Sequence, residues 1–346
     1  MLKDIISIQE VGHSFESVDD ILAVIRTDGS CAIYESFDGK HITYVDGIFS
    51  GLGVYSKNEF YLSEGFTSKI VELDSLETID VPFKVEVILE NRIISTEKEE
   101  RNRYLISRLR GGRIEWKIPL KRGKHIFLGR EILINSQYLD DGKINAYNLS
   151  KGDVIWNYDT TTLGTWRDYD RNERQTQAAK VLGIHEDKLL ILLNSGKVLI
   201  LNVESGEYIT LLFNDKNRKF DGFGLSIELD TEQAKLIQLA NQDWIEVNLN
   251  TMKVSQNTIE DMKSLKIRNA SPIVYDNQYV YFTDYAHYIL GAINRSTLKV
   301  DWTYTFTRDG KSENEQPRYG KHLKLKDKRL YVLDNLNTLN IFERQD

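Results

Sequence analysis

The chain has 346 residues, and its 45 Lys and Arg against 52 Asp and Glu give a formal net charge of −7. Hydrophobic residues make up 41% and charged residues 28%, a balance that supports a folded core and excludes a disordered chain. The longest purely aliphatic run, Leu189 to Leu193, is far shorter than the ~20 residues of a membrane-spanning helix, and the single cysteine, Cys31, excludes an internal disulfide.

In chain order, the first predicted element is an apolar strand, Lys3 to Val11, which has no hairpin partner of its own. A recurring unit follows it, made of a short apolar strand, a turn, an alternating strand, a second turn and a third strand. Its copies begin near Ile21, Glu59, Arg92, Glu131, Lys188, Ala234, Gln278 and Arg329. A short segment before each copy completes four strands, A to D, in a unit of about 43 residues, the length of a propeller blade.

The clearest copy runs from Glu131 to Thr160. Asp141-Gly142 predicts its first turn, because this dipeptide favours a two-residue hairpin connection. Ser150-Lys151-Gly152 predicts the second turn, and Trp156 lies in the last strand. The two-residue alternation of the strands argues against a helical solenoid.

This pattern predicts an all-β fold, a single β-propeller domain over residues 1–346. Eight four-stranded blades fit the length best, with seven as the alternative. The final copy ends after strands A, B and C, so we expect the N-terminal strand to supply the missing D strand and close the last blade.

The copies around Trp156 and Trp302 resemble the repeats of pyrroloquinoline-quinone-type (PQQ-like) β-propellers. In that family a strand ends in Ala-x-Asp/Asn, a turn containing Gly follows, and the next strand carries Trp. The matching positions here are Ala146, Asn148, Gly152 and Trp156, and Ala292, Asn294 and Trp302. The resemblance implies an eight-bladed ring with tryptophans docked between blades. It does not imply quinone chemistry, since the disulfide of the quinone enzymes is impossible here.

No chemical motif points to catalysis. The six histidines are spread singly, without the spacing of a local zinc site, and no nucleophile elbow, phosphate-binding loop or zinc-protease motif occurs. His125, His185 and His322 could meet across a propeller channel, but a histidine satisfied within or beside its strand is the simpler interpretation. Cys31, beside Ala32 and Ile33, predicts a buried thiol. We therefore predict no catalytic residue, no metal and no cofactor.

Four long connections from strand D to the next strand A carry a local excess of positive charge. Their 13 Lys and Arg stand against eight Asp and Glu. The longest insertion, Thr161 to Gln177, places Trp166 and Tyr169 among arginines, which is typical of an interface hot spot. Trp166 could instead fold back onto a blade. The predicted partner-binding residues are Trp166, Arg167, Tyr169, Arg171, Arg174, Arg218, Phe220, Arg308, Arg318 and Tyr319.

The favoured hypothesis is a non-catalytic propeller that binds another protein whose surface is acidic. Its role would be that of an assembly scaffold or of a toxin-neutralising protein of the bacterial immunity type. The alternative is a propeller that binds a small molecule or sugar in its axial channel, or a metal-dependent hydrolase. A sequence pI of about 5.6 disfavours nucleic acid as the partner. No secretory signal is recognisable at the N-terminus, so we expect a cytoplasmic location and no membrane partner.

Overall fold

The computed structural model describes most of the chain, and its blades follow one another in sequence. The described residues are 2–36, 38–56, 58–89, 91–99, 102–110, 112–120, 124–129, 131–137, 142–168, 170–212, 227–240, 242–267, 270–306, 319–326 and 328–344. They form eight four-stranded antiparallel sheets and one two-stranded sheet. The eight larger sheets are the blades of a β-propeller fold, so the predicted all-β class and eight blades are confirmed.

The chain divides into two compact units. One comprises Met1–Pro119, Val274–Ser296 and Val300–Asp346, and the other Leu120–Ile273 and Thr297–Lys299. The single domain over 1–346 stays a prediction.

The first unit contains blades 1 to 3, most of blade 7, and blade 8. The strands of blades 1 to 3 are β2 Val11–Val18, β3 Ile21–Arg26, β4 Cys31–Glu35, β5 His41–Val45, β6 Gly51–Ser56, β7 Glu59–Glu64, β8 Thr67–Glu72, β9 Thr78–Val81, β10 Lys84–Leu89, β11 Arg92–Glu99, β12 Asn102–Leu109 and β13 Ile114–Leu120. Those of blades 7 and 8 are β28 Ala270–Tyr275, β29 Tyr279–Asp284, β30 Ile289–Asn294, β31 Lys299–Thr305, β32 Gly320–Lys326, β33 Arg329–Asp334 and β34 Leu339–Arg344, with β1 Leu2–Ile8 completing blade 8.

The second unit contains blades 4 to 6 and the two-stranded sheet. Its strands are β14 Lys124–Gly129, β15 Ile132–Gln137, β16 Lys143–Asn148, β17 Val154–Asp159, β18 Thr165–Arg167, β19 Glu173–Gln175, β20 Ala178–His185, β21 Lys188–Leu193, β22 Val198–Asn202, β23 Tyr208–Leu212, β24 Ile227–Asp230, β25 Lys235–Ala240, β26 Asp243–Asn248 and β27 Lys253–Thr258. A 3-10 turn, Thr160–Leu163, and a short helix, α1 Glu260–Ser264, complete it. In the described part of the chain, no helix has the length and apolarity needed to cross a membrane.

The N-terminal strand closes blade 8 as predicted, with one correction to its length. β1 pairs antiparallel with β34, from Leu2 opposite Arg344 to Ile8 opposite Leu339. The predicted strand continued to Val11, but Glu10 adopts a φ of 60° and interrupts it. Val11 instead begins β2, the first strand of blade 1. The sequence-based prediction merged two strands into one because both are apolar and the connection between them is short.

Asparagines at the ends of C strands hold the turns into the D strands. The Oδ1 atom of Asn148 accepts the backbone N–H groups of Ser150 and Lys151 at 3.0 and 2.9 Å. Asn202 and Asn248 accept the corresponding bonds in blades 5 and 6. Asn294 accepts from the backbone of Ser296 in blade 7. The recurring Asn is therefore a turn-forming residue, because its side chain replaces a backbone acceptor.

Trp156 joins blade 4 to blade 5, as the resemblance implied. Its indole Nε1 donates to the carbonyl oxygen of Val203 at 2.8 Å. The ring lies so close to Gly206 that a Cβ at that position would meet the ring at 2.5 Å. In blade 7, the ring of Trp302 lies edge-on to Phe342 of blade 8, with centroids 5.9 Å apart. Both tryptophans therefore contact the blade that follows their own.

Candidate interaction site

The Thr161 to Gln177 insertion of the second unit contains a small antiparallel hairpin. We call residues 165–175, formed by β18, β19 and the connection between them, the 165–175 hairpin. Its register places Thr165 opposite Gln175, Trp166 opposite Arg174 and Arg167 opposite Glu173. The sequence interpretation treated this segment as a loop. It pairs because the turn-favouring residues Asp170 and Asn172 lie between two short stretches of extended residues.

Buried Thr160 fastens one side of the hairpin base to blade 4. Its Oγ1 lies 2.6 Å from the carbonyl oxygen of Gly142 and 2.9 Å from that of Thr176, and its single proton is donated to one of them at a time. Asp159 caps the following 3-10 turn by accepting the backbone N–H and the hydroxyl of Thr161. These hydrogen bonds lower the pKa of Asp159. The entry to the hairpin is thereby held in one conformation.

Asn194 fastens the other side of the base to blade 5. Its Oδ1 accepts the backbone N–H of Gln177 at 3.0 Å, and its own backbone N–H donates to the Gln177 carbonyl at 2.9 Å. Its Nδ2 donates to the carbonyl of Gln175 at 3.0 Å. The first unit repeats the reciprocal pair, with Asn335 bound to Tyr319 at 2.8 and 3.0 Å. An Asn after strand B thus fixes the end of a D-to-A connection in both units.

Asp168 organises the tip of the hairpin. Its carboxylate accepts the Nε–H of Arg174 at 2.8 Å and the backbone N–H of Asn172 at 2.8 Å. The bond from Arg174 is the largest cause of a lowered pKa for Asp168. Arg171 adopts a φ of 65°, and its N–H donates to the Asp168 carbonyl at 3.0 Å. The tip is consequently a closed turn with an internal ion pair.

The hairpin presents two arginines to solvent. Arg167 and Arg171 are exposed and make no ion pair within the described part of the chain, whereas Arg174 is paired with Asp168. The hairpin's three arginines are balanced by Asp168, Asp170 and Glu173, so its net charge is zero. The sequence-derived excess of positive charge therefore comes from the other long connections, most of which lies outside the described residues.

Trp166 is half-buried rather than fully exposed or fully packed. Its indole Nε1 is shielded from solvent and has no hydrogen-bond partner among the described residues. A buried indole N–H without an acceptor is destabilising, since Trp and Tyr normally satisfy their polar atoms when buried. The side chain thus combines a large apolar surface with one unsatisfied donor.

The structure brings together four of the ten predicted residues, namely Trp166, Arg167, Arg171 and Arg174. Tyr319 lies in the first unit, half-buried, with its ring 6.1 Å from the ring of exposed Tyr285. The remaining predicted residues lie outside the described residues; they are Tyr169, Arg218, Phe220, Arg308 and Arg318.

The residues that hold the hairpin were missed by sequence reasoning. Thr160, Asp168 and Asn194 carry no motif of their own. The available signal was the turn composition at the tip, where Asp168, Asp170 and Asn172 belong to residue types that favour turns through side-chain hydrogen bonds to the backbone.

Cys31 and His287 have packing roles, whereas the buried Nε2 of His185 has no hydrogen-bond partner among the described residues. Cys31 is buried, and burial raises the pKa of its thiol to about 12. His287 is held by buried Asp284, with Nδ1 2.9 Å from Oδ2, as expected for a histidine satisfied beside its strand. No group of three or more His, Cys, Asp or Glu side chains suited to a metal occurs among the described residues. The side chain of His125 lies outside them.

Comparison with solved structures supports the propeller fold. BamB from Moraxella catarrhalis superposes with a TM-score of 0.65 at 11% identity, covering 99% of this chain and 100% of that one. Saccharomyces cerevisiae Sqt1 gives 0.62 at 9% identity, covering 100% and 98%, and the computationally designed Ika8 protein gives 0.61 at 10%, covering 99% and 98%. No family model matches the chain. No curated protein matches it by sequence.

Proposed function

We propose that this chain is a non-catalytic β-propeller of the PQQ-like repeat type that binds another protein through the 165–175 hairpin. The observation that carries the proposal is a hairpin anchored on both sides, by Thr160 and Asn194, that presents Trp166, Arg167 and Arg171. Anchoring matters because a pre-ordered surface loses less conformational entropy on binding.

The chemistry of the hairpin defines the kind of partner. The half-buried ring of Trp166 offers apolar surface to a partner, whereas its Nε1 is shielded from solvent, so the contact made by this side chain is an apolar one. Arg167 and Arg171 are the cations left available after Arg174 pairs with Asp168, and guanidinium groups bind carboxylates in a fork geometry. A protein surface that combines an apolar patch with one or two Asp or Glu side chains satisfies all three. We include both neutralisation of a bacterial toxin and assembly of a complex in the proposal, together with a cytoplasmic location.

The experiment tests whether hairpin variants selectively lose one co-purifying protein. Affinity purification from the native cell uses the parent chain, the Trp166→Ala variant and an Arg167→Ala, Arg171→Ala double variant. Arg113→Ala serves as the matched control, because Arg113 is an exposed turn arginine of blade 3. We expect one protein to be retained by the parent and the control and lost from both hairpin variants.

Affinity for that protein, once purified, is then measured by calorimetry. The double arginine variant should weaken binding by about tenfold or more, which corresponds to ~1.4 kcal/mol, and Trp166→Ala should cost about 2 kcal/mol or more. Equal retention of every partner by parent and hairpin variants would refute the role of the hairpin.

A further inference from the structure

Asp-Gly pairs are chemically reactive points in a protein chain. The backbone nitrogen that follows an aspartate can attack the side-chain Cγ, and glycine has no side chain to hinder the attack. The sequence contains six Asp-Gly pairs. The structure describes both residues of three of them, Asp28-Gly29, Asp38-Gly39 and Asp46-Gly47, and all three lie in the first unit.

In the first pair, hydrogen bonds hold both reacting groups within the B-to-C turn of blade 1. The N–H of Gly29 donates to the carbonyl of Arg26 at 3.0 Å. The Oδ1 of Asp28 accepts the hydroxyl of Ser30 at 2.7 Å and the backbone N–H of the same residue at 2.9 Å. Attack of the nitrogen on Cγ therefore requires these bonds to break, because the nitrogen must lose its proton and the carboxyl group must turn towards it.

The second pair is held in a similar way in the C-to-D turn of blade 1. The N–H of Gly39 donates to the carbonyl of Glu35 at 3.0 Å. The Oδ1 of Asp38 accepts the backbone N–H of Lys40 at 2.8 Å. An aspartate that binds the backbone two residues ahead stabilises a turn. Both reacting groups of this pair are again engaged in hydrogen bonds.

The third pair, Asp46-Gly47, lacks these restraints. It lies between β5 and β6, in the connection from blade 1 to blade 2, and both residues are exposed. Within the described part of the chain, the N–H of Gly47 donates no hydrogen bond, and the carboxylate of Asp46 has neither a hydrogen bond nor an ion pair. The attacking nitrogen and the carboxyl group it would attack are therefore both available.

We propose that Asp46-Gly47 is a site of isomerisation, at which the aspartate is converted to isoaspartate. The nitrogen of Gly47 forms a bond to Cγ of Asp46, and its proton leaves together with the Cγ hydroxyl as water, which gives a cyclic imide. Hydrolysis by one water molecule then breaks either imide C–N bond. Breaking the bond to Cγ restores aspartate. Breaking the bond to the main-chain carbonyl carbon gives isoaspartate, whose main chain runs through the former side chain. Water is the only co-reactant.

The residues that follow the pair show what the modification changes. Phe49 is buried, and its backbone N–H donates to the carbonyl of Gly29 at 2.8 Å. Its ring lies so close to Gly47 that a Cβ there would meet the ring at 2.6 Å. Isoaspartate adds a methylene group to the main chain just before this contact, so the modification alters the chain where Phe49 is anchored. The site is separate from the 165–175 hairpin and does not depend on the proposed protein partner.

Site-resolved mass spectrometry tests the proposal. The native protein and the protein unfolded in urea are incubated in mildly acidic buffer, because a protonated carboxyl group is the better electrophile. Each sample is then digested, and isoaspartate is located by electron-transfer fragmentation of the peptides. The yield in urea gives the reactivity of each pair without tertiary structure, so the native yield divided by the urea yield measures the effect of the fold. We expect this ratio at Asp46 to exceed the ratios at Asp28 and Asp38 by about fivefold or more, the change set by one hydrogen bond of ordinary strength.

Two variants confirm the position. Asp46→Glu keeps the charge but would require a larger imide ring, so it should abolish the modification at this position and leave the yields at Asp28 and Asp38 unchanged. Asp153→Glu is the matched control, because Asp153 is an exposed aspartate followed by Val154, and it should leave the yield at Asp46 unchanged. Absence of isoaspartate at Asp46 in the native protein, or a ratio there no higher than at the other two pairs, would overturn the proposal.

Discussion

Replacing Gly206 by alanine should destabilise the protein by more than its backbone conformation alone requires. Gly206 has a φ of 71°, which is unfavourable for a residue with a side chain, and its added Cβ would lie 2.5 Å from the Trp156 ring. The ring cannot retreat freely, because its Nε1 is bound to the carbonyl of Val203. Left-handed strain costs about 1–2 kcal/mol. Overpacking against a fixed ring adds about 1–3 kcal/mol.

Gly65→Ala is the control that separates the two contributions. Gly65 has a φ of 58°, close to that of Gly206, but a Cβ there meets nothing within 4 Å. Urea unfolding followed by circular dichroism should therefore show Gly206→Ala to be less stable than Gly65→Ala by about 1–3 kcal/mol. Combining Gly206→Ala with Trp156→Phe should cost less than the sum of the single changes, since the smaller ring relieves the clash. Equal losses for the two glycine variants would refute tight docking of Trp156 on the turn.

Four further predictions address the edge, the hairpin and the thiol. Deleting Leu2–Ile8 should lower the free energy of unfolding by at least about 3–6 kcal/mol, because Leu2 and Ile8 are buried and β34 loses its partner; melting within a degree of the parent would contradict this. Trp166→Ala should cost about 2 kcal/mol or more of partner affinity with little change in melting temperature, whereas a residue that only packs onto its blade would give the reverse. The pKa of Asp168 is lowered, so its bonds to Arg174 and to the hairpin backbone stabilise the tip at neutral pH and are lost as the pH falls through the folded pKa, below the usual ~3.9 of aspartate. Hydrogen exchange of the Asn172 amide, corrected for its intrinsic rate, should be constant from about pH 7 to 5 and accelerate only at more acidic pH. A constant rate throughout would show that the Asp168 carboxylate does not stabilise the tip. Cys31, with a pKa of about 12, should react with a disulfide reagent only after urea is added, and rapid labelling of the native protein would exclude burial of the thiol.

Most of the fold could be predicted from the sequence because the signals repeat. The turn at Ser150 to Gly152 and its relative at Ser205-Gly206 share one pattern, in which the glycine lies four residues after an asparagine that closes the turn by a local hydrogen bond. Local interactions of this kind are readable in a few residues. The pairing of β1 with β34 was predicted by a different argument, namely that a strand without a hairpin partner can supply the fourth strand of a blade that has only three.

The candidate site was only partly predictable, because its geometry depends on distant contacts. Trp166 and its neighbouring arginines stand out by composition. The role of Asn194 depends on a hydrogen bond to Gln177, 17 residues away, and no local sequence pattern predicts that bond. Likewise, the charge count treated Arg174 as available for a partner, whereas Asp168 binds it within the hairpin.

The pairing of β1 with β34 also sets the order of events during synthesis. β1 leaves the ribosome before its partner, which is made about 330 residues later. At 5–20 residues per second, the interval is roughly 15–70 s. During that time the apolar residues of β1 have no native partner, whereas sheets such as β2–β5 contain all of their strands and can form early. Closure of the last blade is therefore a late, long-range step in the life of a new chain, and a chaperone that shields the first strand would act in this interval.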